Sequence, residues 1–400
     1  MRQNGPVTES IILDALLVLM LIGYIVYGFR NGLSRAAFTI AGVIAGIIAA
    51  FFLAPVITNL VPIPFLRLGV TIVVAIGFVA LGHALGSGIG RFLRRGILHS
   101  PLSGIDRVLG AVGAGVVAAL VASMVSFSVS QLGVPALSRA ISGSAFLRIV
   151  STLTPDPVEA FLAQVRGAVV DRGIPLITGA LEGGTTPVIP AIDTGSGALN
   201  DAAQSVVRIT GNAYACGVSQ SGTGFVVYDD RVVTNAHVVA GVTEPVIETL
   251  AGQSLTGTVV YFDAIDDLAV IAVPGLDAAA LPLASTLSPD TDAAFEGYPY
   301  GGPFSSAGAN VISVTSPNVA DIYGTSRTPR EVYTLAADIR EGNSGGPLLT
   351  LDGSVAGVVF ARDADTANVG YAMTMAELEP VTNRAAGLTD PVSPGDCITE

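Results

Sequence analysis

The spacing of hydrophobic and polar residues divides the chain into two different parts. Four long apolar stretches, residues 11–29, 36–57, 68–89 and 108–129, contain almost no charge, and each approaches the roughly 20 residues that cross a bilayer core. Buried helices of a large soluble domain are the alternative, but four such stretches in succession fit it poorly. The pattern predicts a membrane domain of four transmembrane helices over residues 1–134.

Beyond residue 200 the period of the pattern changes. Short runs rich in Val and Ile recur between turn signals, among them "SVVRIT", "RVVTNAHVV", "LAVIAV" and "SVAGVVFA". Such runs are typical of an all-β sandwich or barrel, and roughly 200 residues suit a domain of two barrels. Residues 135–199 combine short helical patterns with a stretch rich in Gly, Pro, Thr and Ser, which predicts a linker before a domain over residues 200–400.

The charge is distributed unevenly along the chain. Residues 1–200 contain 12 Arg and 8 acidic residues, residues 201–400 contain 7 Arg and 24 acidic residues, and there is no Lys. An acidic second half repels phosphates, which argues against nucleic acid as a partner. Most arginines near the apolar stretches lie in the first and third loops between them, which places these loops in the cytoplasm. We therefore expect a multi-pass protein of the cytoplasmic membrane, embedded in the lipid bilayer, with the strand-rich domain on the extracytoplasmic (periplasmic) side.

Small residues recur at helical spacing within the apolar stretches. Gly42 and Gly46 are four residues apart, and so are Gly82, Gly86 and Gly90. Small residues at this spacing let two helix backbones approach closely. The pattern predicts close helix packing, within one chain or between two.

Three residues of the second half carry the groups that hydrolytic chemistry needs. His237 stands in "TNAHVV", Asp267 directly precedes "LAV", and Ser344 stands in "EGNSGGP", with gaps of 30 and 77 residues. A serine hydroxyl is a poor nucleophile until a base takes its proton, and the histidine would be that base while an aspartate holds its tautomer. The glycines would let the amides of Gly342 and Ser344 point at an oxyanion. Asp266 competes with Asp267 for the aspartate role.

These motifs, together with "GTGFVV" before the histidine and "GYAM" after the serine, resemble the trypsin-like serine peptidases, especially their HtrA branch. The resemblance covers roughly residues 200–380. It implies a chymotrypsin-like double β-barrel with the site in the cleft between the barrels, a triad of His237, Asp267 and Ser344, and an oxyanion hole formed by the amides of Gly342 and Ser344. It implies no cofactor and no metal, and it favours Asp267 over its neighbour.

Two further positions near the serine bear on specificity and activation. Asp338 lies six residues before Ser344, an offset that in trypsin-like enzymes places a side chain at the floor of the primary specificity pocket. The resemblance thus implies a preference for Arg or Lys before the cut; the alternatives are that Asp338 faces solvent or pairs with Arg340. Asn343 stands where trypsin-type enzymes have Asp, so activation by a new N-terminal amine is not expected.

The first part of the chain resembles the colicin V production proteins, through the Asp-led first helix, the "RNGLSR" loop and the Gly-rich helices. The whole arrangement resembles the actinobacterial membrane-anchored serine proteases associated with acid resistance. That resemblance implies a serine endopeptidase that processes protein substrates of the cell envelope under acid or oxidative stress. The competing hypothesis is a membrane channel or scaffold with an inactive peptidase-like sensor domain. The sequence leaves the oligomeric state open.

The two cysteines, Cys216 and Cys397, both lie in the second half. Neither belongs to a C-x-x-C pair, so metal and redox-motif interpretations are weak. In an extracytoplasmic domain two distant cysteines suit a disulfide, which the resemblance to the acid-resistance proteases also implies. Two unrelated buried thiols are the alternative.

Overall fold

The computed structural model describes most of the chain, in several ranges. These are residues 5–58, 80–92, 103–130, 143–155, 175–177, 186–213 and 218–396, with a few isolated positions elsewhere. Residues 14–123 form one compact unit, and the rest of the chain belongs to a second. Cys216 and Cys397 lie outside the described residues, so their pairing stays a prediction.

The described part of the first unit is helical, and its first and last helices extend a few residues beyond its bounds. Helix α1 (Gly5–Thr58) is interrupted at Gly32, whose φ of 74° and ψ of 162° are not helical, so it consists of two segments. Residues 80–92 are also helical, and α2 spans Ser103–Ser130. Among the described residues, two segments, Ser10–Leu33 and Ser103–Ser126, are long and apolar enough to cross a membrane.

The four predicted membrane helices are described to different extents. The predicted helix at residues 11–29 lies within Ser10–Leu33, and most of the one at residues 108–129 lies within Ser103–Ser126. The stretch at 36–57 is helical within α1, whereas much of the stretch at 68–89 lies outside the described residues. A membrane domain of four spans therefore stays a prediction.

Glycines allow close helix contacts in this unit. A Cβ atom on Gly42 would lie 2.2 Å from the carbonyl oxygen of Gly82, and one on Gly86 would lie 2.2 Å from that of Phe38. Neither position accepts a side chain unless the backbones separate. The close packing predicted from these glycines is thus confirmed, between the second segment of α1 and the helix at 80–92.

The second unit consists mainly of strands. They are β1 (Leu176–Ile177), β2 (Val206–Ala213), β3 (Val218–Tyr228), β4 (Arg231–Thr234), β5 (Val246–Thr249), β6 (Ser254–Thr256), β7 (Thr258–Asp263), β8 (Leu268–Ala272), β9 (Asp292–Gly297), β10 (Ser305–Thr315), β11 (Asn318–Ala320), β12 (Arg327–Pro329), β13 (Val332–Ala336), β14 (Pro347–Leu349), β15 (Val355–Asp363) and β16 (Val369–Thr374). Its helices are α3 (Ala145–Leu153), α4 (Gly197–Ala203), α5 (Ala236–Val239) and α6 (Met375–Thr382), with 3-10 turns at Pro299–Gly301 and Ala385–Gly387.

The first barrel uses strands β2 to β8, in the order β6-β5-β2-β3-β4-β8-β7. Only Gly257 separates β6 from β7, so these two strands form one bent strand that closes the sheet on itself. A Cβ atom at Gly257 would lie 2.3 Å from Cγ2 of Ile271. Glycine therefore permits the bend that closes this barrel.

The second barrel has the order β15-β14-β9-β10-β13-β16, and pairing between β15 and β16 closes it. Short β1 adds to the edge of β15 in the parallel direction. Three apolar clusters fill the unit: one around Ile209 and Ile271, one around Phe295 and Leu335, and one with residues of both barrels. The two barrels predicted from the strand pattern are confirmed.

Part of the predicted linker is bound to this unit rather than free. β1 lies on the edge of β15, and Ile192 packs against the cluster shared by both barrels. The side-chain amide of Asn368 donates to the carbonyl of Pro187 at 3.4 Å. These contacts hold two pieces of the segment between residues 175 and 196 against the second barrel.

Candidate active site

His237 and Asp267 form a buried hydrogen-bonded pair in the first barrel. The imidazole Nδ1 lies 2.8 Å from Oδ2 and 3.0 Å from Oδ1 of Asp267, and the backbone N–H of His237 donates to Oδ1 at 2.9 Å. Both side chains are less than a tenth exposed. Asp266 makes no such bond with the imidazole among the described contacts, and burial, followed by the nearby Asp263 carboxylate, raises its pKa. The structure therefore places Asp267, not Asp266, beside the histidine.

Strand pairing brings this pair together. β4 leads into the single-turn helix α5 that carries His237, and Asp267 directly precedes β8. β4 and β8 are antiparallel neighbours, with Thr234 opposite Ala269. Asp267 has a φ of 55°, an uncommon conformation for a residue other than Gly, and its carbonyl accepts a hydrogen bond from the Asn235 side chain at 2.9 Å.

The contacts define the tautomer of His237. A carboxylate only accepts hydrogen bonds, so Nδ1 carries the proton that points at Asp267. In the neutral ring, Nε2 then has a free lone pair. Nε2 and the Ser344 hydroxyl are both buried, and neither has a hydrogen-bond partner within the part of the chain that the structure describes. Catalytic hydrogen bonds of this kind often tighten only when substrate binds.

The Ser344 loop lies against the segment that leads to His237. A Cβ atom on Gly345 would lie 2.2 Å from Oγ1 of Thr234 and 3.0 Å from the backbone nitrogen of Asn235. The Gly345 N–H donates to the Val359 carbonyl at 2.8 Å, which joins the same loop to β15. The fold thus brings the serine of the second barrel to the histidine turn of the first.

Two backbone amides of the Ser344 loop have no acceptor within the part of the chain that the structure describes. Among the described residues, the N–H groups of Gly342 and Ser344 donate to no oxygen. The carbonyl of Glu341 accepts from the Tyr300 N–H at 2.6 Å. In a trans peptide the C=O and the N–H point in opposite directions, so this bond turns the Gly342 N–H away from Tyr300. Gly342 has a φ of 86°, a conformation that favours glycine.

Asp338 is paired with Arg340. Its Oδ2 accepts from Nε of Arg340 at 3.0 Å and from Nη2 at 2.5 Å. The Asp338 side chain is 45% exposed, and the Arg340 Nη1 also donates to the Tyr300 hydroxyl at 2.9 Å. This geometry matches the alternative in which Asp338 pairs with Arg340. The Asp338 carboxylate is thus neither buried nor unpaired.

Some groups near the site were not singled out by the sequence reasoning. Thr223 of the "GTGFVV" motif hydrogen-bonds the serine loop, and the buried ion pair of Arg208 and Glu248 reaches the Gly301 carbonyl through Arg208 Nη1 at 2.9 Å. Glu296 is 1% exposed, and burial raises its pKa to about 7. In the sequence, the one sign that could have pointed to these residues is that each is a charged or polar residue in or beside an apolar run.

Comparison with known sequences matches both parts of the chain. Residues 222–358 match the trypsin-like peptidase domain, and residues 13–155 match the colicin V production protein family. Serine protease Rv3671c of Mycobacterium tuberculosis strain H37Rv is 34% identical over 320 residues, which cover 78% of this chain and 79% of that protein. The putative serine protease HhoA of Synechocystis is 32% identical over 180 residues, 44% of this chain and 45% of that one.

A solved structure matches the second unit. The crystal structure of the M. tuberculosis Rv3671c protease in its active form is 36% identical, with a TM-score of 0.50, and the match covers 55% of this chain and all of that one. The likeness supports a chymotrypsin-like β-barrel fold for the strand-rich unit. With the sequence match across both parts of the chain, it shows that this protein is a serine endopeptidase and belongs to the family of the serine protease Rv3671c.

Proposed function

We propose that Ser344 is the nucleophile of this endopeptidase, that His237 is its general base and acid, and that Asp267 orients and stabilises the imidazole. The observation that carries the proposal is the buried His237–Asp267 pair, in which Nδ1 lies against the carboxylate, while the Ser344 loop lies against the same turn. The amides of Gly342 and Ser344, which donate to no oxygen of the described residues, form the proposed oxyanion hole.

The reaction then follows from these groups. The Ser344 hydroxyl attacks the carbonyl carbon of the peptide bond while its proton moves to Nε2 of His237. The Asp267 carboxylate stabilises the resulting imidazolium, and the two amides donate to the oxyanion. The imidazolium returns its proton to the leaving amine as the C–N bond breaks. Water repeats the sequence on the acyl-enzyme, and the product acid leaves with the serine restored.

Labelling with a fluorophosphonate tests the assignment. We expect the intact protein in detergent to be labelled at Ser344, and Ser344→Ala and His237→Ala to lose both labelling and casein cleavage. Ser393→Ala, at an exposed serine of the same unit, is the matched control and should behave as wild type. Labelling that persists in Ser344→Ala would refute the nucleophile. Activity itself disfavours the inactive sensor-domain hypothesis.

We further propose that four helices hold the enzyme in the cytoplasmic membrane with the protease domain outside. Two apolar segments and the match to the colicin V production proteins support membrane association. The chain has no Lys, so a thiol reagent is a better topology probe than an amine reagent. In a chain lacking both native cysteines, Ser393→Cys should react with an impermeant maleimide on intact spheroplasts. Reaction only after lysis would place the domain inside.

The physiological role and the disulfide complete the proposal. By its family resemblance, the enzyme processes envelope proteins under acid or oxidative stress, and a strain carrying Ser344→Ala should then be sensitive to acid.

A Cys216–Cys397 bridge would close a loop of about 180 residues and contribute at most about 5 kcal/mol. Non-reducing mass spectrometry of protein from the membrane fraction should find the linked peptide pair, and two free thiols would contradict it.

A further inference from the structure

Thr223 makes four hydrogen bonds around the serine loop. Its hydroxyl oxygen lies 2.6 Å from the Gly342 carbonyl oxygen and 3.0 Å from the Tyr298 nitrogen. Its N–H donates to the Ser344 carbonyl at 2.8 Å, and its carbonyl accepts from the Thr234 hydroxyl at 2.6 Å. One residue of the first barrel thus contacts both residues of the proposed oxyanion hole, which belong to the loop before β14.

The direction of each bond follows from the chemistry. The Tyr298 N–H can only donate, so the Thr223 oxygen accepts that bond. The single hydroxyl hydrogen is then committed to the Gly342 carbonyl. Thr223 is fully buried, so water has no access to replace either bond. The hydroxyl has no alternative arrangement that satisfies both neighbours.

The Thr223 hydroxyl bonds the peptide that follows the Gly342 N–H, which is one of the two proposed oxyanion donors. The peptide before Gly342 is held by the Tyr300 N–H on the Glu341 carbonyl, and the peptide after it is held by the Thr223 hydroxyl. Gly342 has a φ of 86°, and glycine has wide rotational freedom. Gly342 itself therefore does not fix the orientation of either flanking peptide. The two bonds together fix the direction of its N–H.

We propose that Thr223 is a positioning residue for catalysis, whose hydroxyl sets the direction of the Gly342 N–H in the oxyanion hole. The inference rests on the proposed function of Gly342 and Ser344. Without the hydroxyl, the Gly342 carbonyl and the Tyr298 N–H are buried without partners, and the flanking peptides rotate to find others. The N–H then no longer meets the oxyanion that forms in the transition state.

The test compares Thr223→Val with Thr223→Ser. Valine keeps the shape and removes the hydroxyl, while serine keeps the hydroxyl. Loss of one oxyanion donor costs about 10²- to 10³-fold in kcat, so we expect kcat of Thr223→Val to fall about 10- to 1000-fold with KM nearly unchanged. Thr223→Ser should stay within about threefold of wild type, because it keeps both bonds. Both are measured on the intact protein with a fluorogenic peptide.

Thr210→Val is the matched control. Thr210 is also buried in the first barrel, on β2, but its hydroxyl has no hydrogen-bond partner among the described residues. Its substitution should leave kcat unchanged. A merely structural role of Thr223 would lower the melting temperature and the active fraction without weakening a tetrahedral inhibitor. We expect instead that a peptide aldehyde loses affinity for Thr223→Val in proportion to kcat.

Several results would overturn the inference. They are a kcat of Thr223→Val within threefold of wild type, a rise in KM alone, or an equal loss in Thr223→Ser. If Thr223→Val does not fold, Thr223→Cys, with a weaker donor of similar size, should show the same selective loss of kcat. Activity that survives in Ser344→Ala would instead reject the proposed function, so the two failures are distinguishable.

Discussion

Glu296 should make the protease domain less stable as the pH rises. It is the fifth residue of β9, opposite Ser306 of β10, and it is 1% exposed. Burial disfavours the charged carboxylate and raises its pKa from 4.5 to about 7. The amide in Glu296→Gln has nearly the same shape and does not titrate, so this substitution removes the effect.

The sign and the size follow from proton linkage. Between pH 4.5 and about 7 the folded protein holds a proton on Glu296 that the unfolded chain has released. Stability from this group is therefore fully present below pH 4.5 and is lost as the pH rises through about 7. One pKa unit corresponds to about 1.4 kcal/mol, so the loss is at most about 3 kcal/mol.

Urea unfolding of wild type and Glu296→Gln across this pH range measures the effect. Both proteins should carry Ser344→Ala, so that self-cleavage does not distort the curves. The chain has no Trp and 10 Tyr, so near-ultraviolet circular dichroism of tyrosine is a suitable signal. Glu244→Gln, at an exposed glutamate of the same unit, is the control and should follow wild type.

The expected result is a difference between the two curves that depends on pH. Glu296→Gln should match wild type within about 1 kcal/mol in acid and exceed it by about 1–3 kcal/mol above neutral pH. Hydrogen bonds lower the pKa of Asp321, and at Asp363 they outweigh burial and lower the pKa there too. Both carboxylates make both proteins less stable in strong acid, and this effect cancels in the difference. Parallel curves for Glu296→Gln and wild type would refute the reasoning.

Three further predictions test the site. Asp267→Asn should lower kcat by roughly 10³- to 10⁴-fold because it disturbs the tautomer of the imidazole, and Asp266→Asn should leave kcat within about threefold; equal losses in steady-state kinetics would contradict the assignment. Gly342→Ala places a Cβ atom 2.2 Å from a backbone carbonyl oxygen, so fluorophosphonate labelling should be at least about 10-fold slower; an unchanged rate would show that the loop adapts. Because Arg340 pairs with Asp338, a peptide-library profile should show no strong preference for Arg or Lys, and a basic preference lost in Asp338→Ala would restore the specificity-pocket hypothesis.

The sequence could single out the three residues of the proposed triad because each of them stands beside a recognisable strand. His237 and Asp267 flank apolar runs that pair as β4 and β8, and Ser344 precedes the run that becomes β14. Strand pairing then brings local motifs together without further information. The choice of Asp267 over Asp266 depended on the resemblance, which places the aspartate directly before the strand, and the hydrogen bonds to His237 agree with it.

The contacts that hold the Ser344 loop could not be predicted from the sequence, because they join residues that are far apart in the chain. Thr223 and Gly342 are 119 residues apart, and their hydrogen bond depends on how the two barrels meet. Glu296 lies in an apolar run where a carboxylate would be expected to face solvent, yet it is buried. The pairing of Asp338 with Arg340 was one of several alternatives, because sequence distance does not determine side-chain direction.

The division of the site between the two barrels has a consequence for when the enzyme becomes active during synthesis. Strands β2 to β8 are contiguous in the chain, and so are β9 to β16, so each barrel can form from its own segment. The first barrel brings His237 and Asp267 together, but Ser344 arrives only with the second. A nascent chain with one finished barrel therefore carries the proposed base without the proposed nucleophile. If the proposed triad is right, proteolysis begins only after the second barrel has folded onto the first.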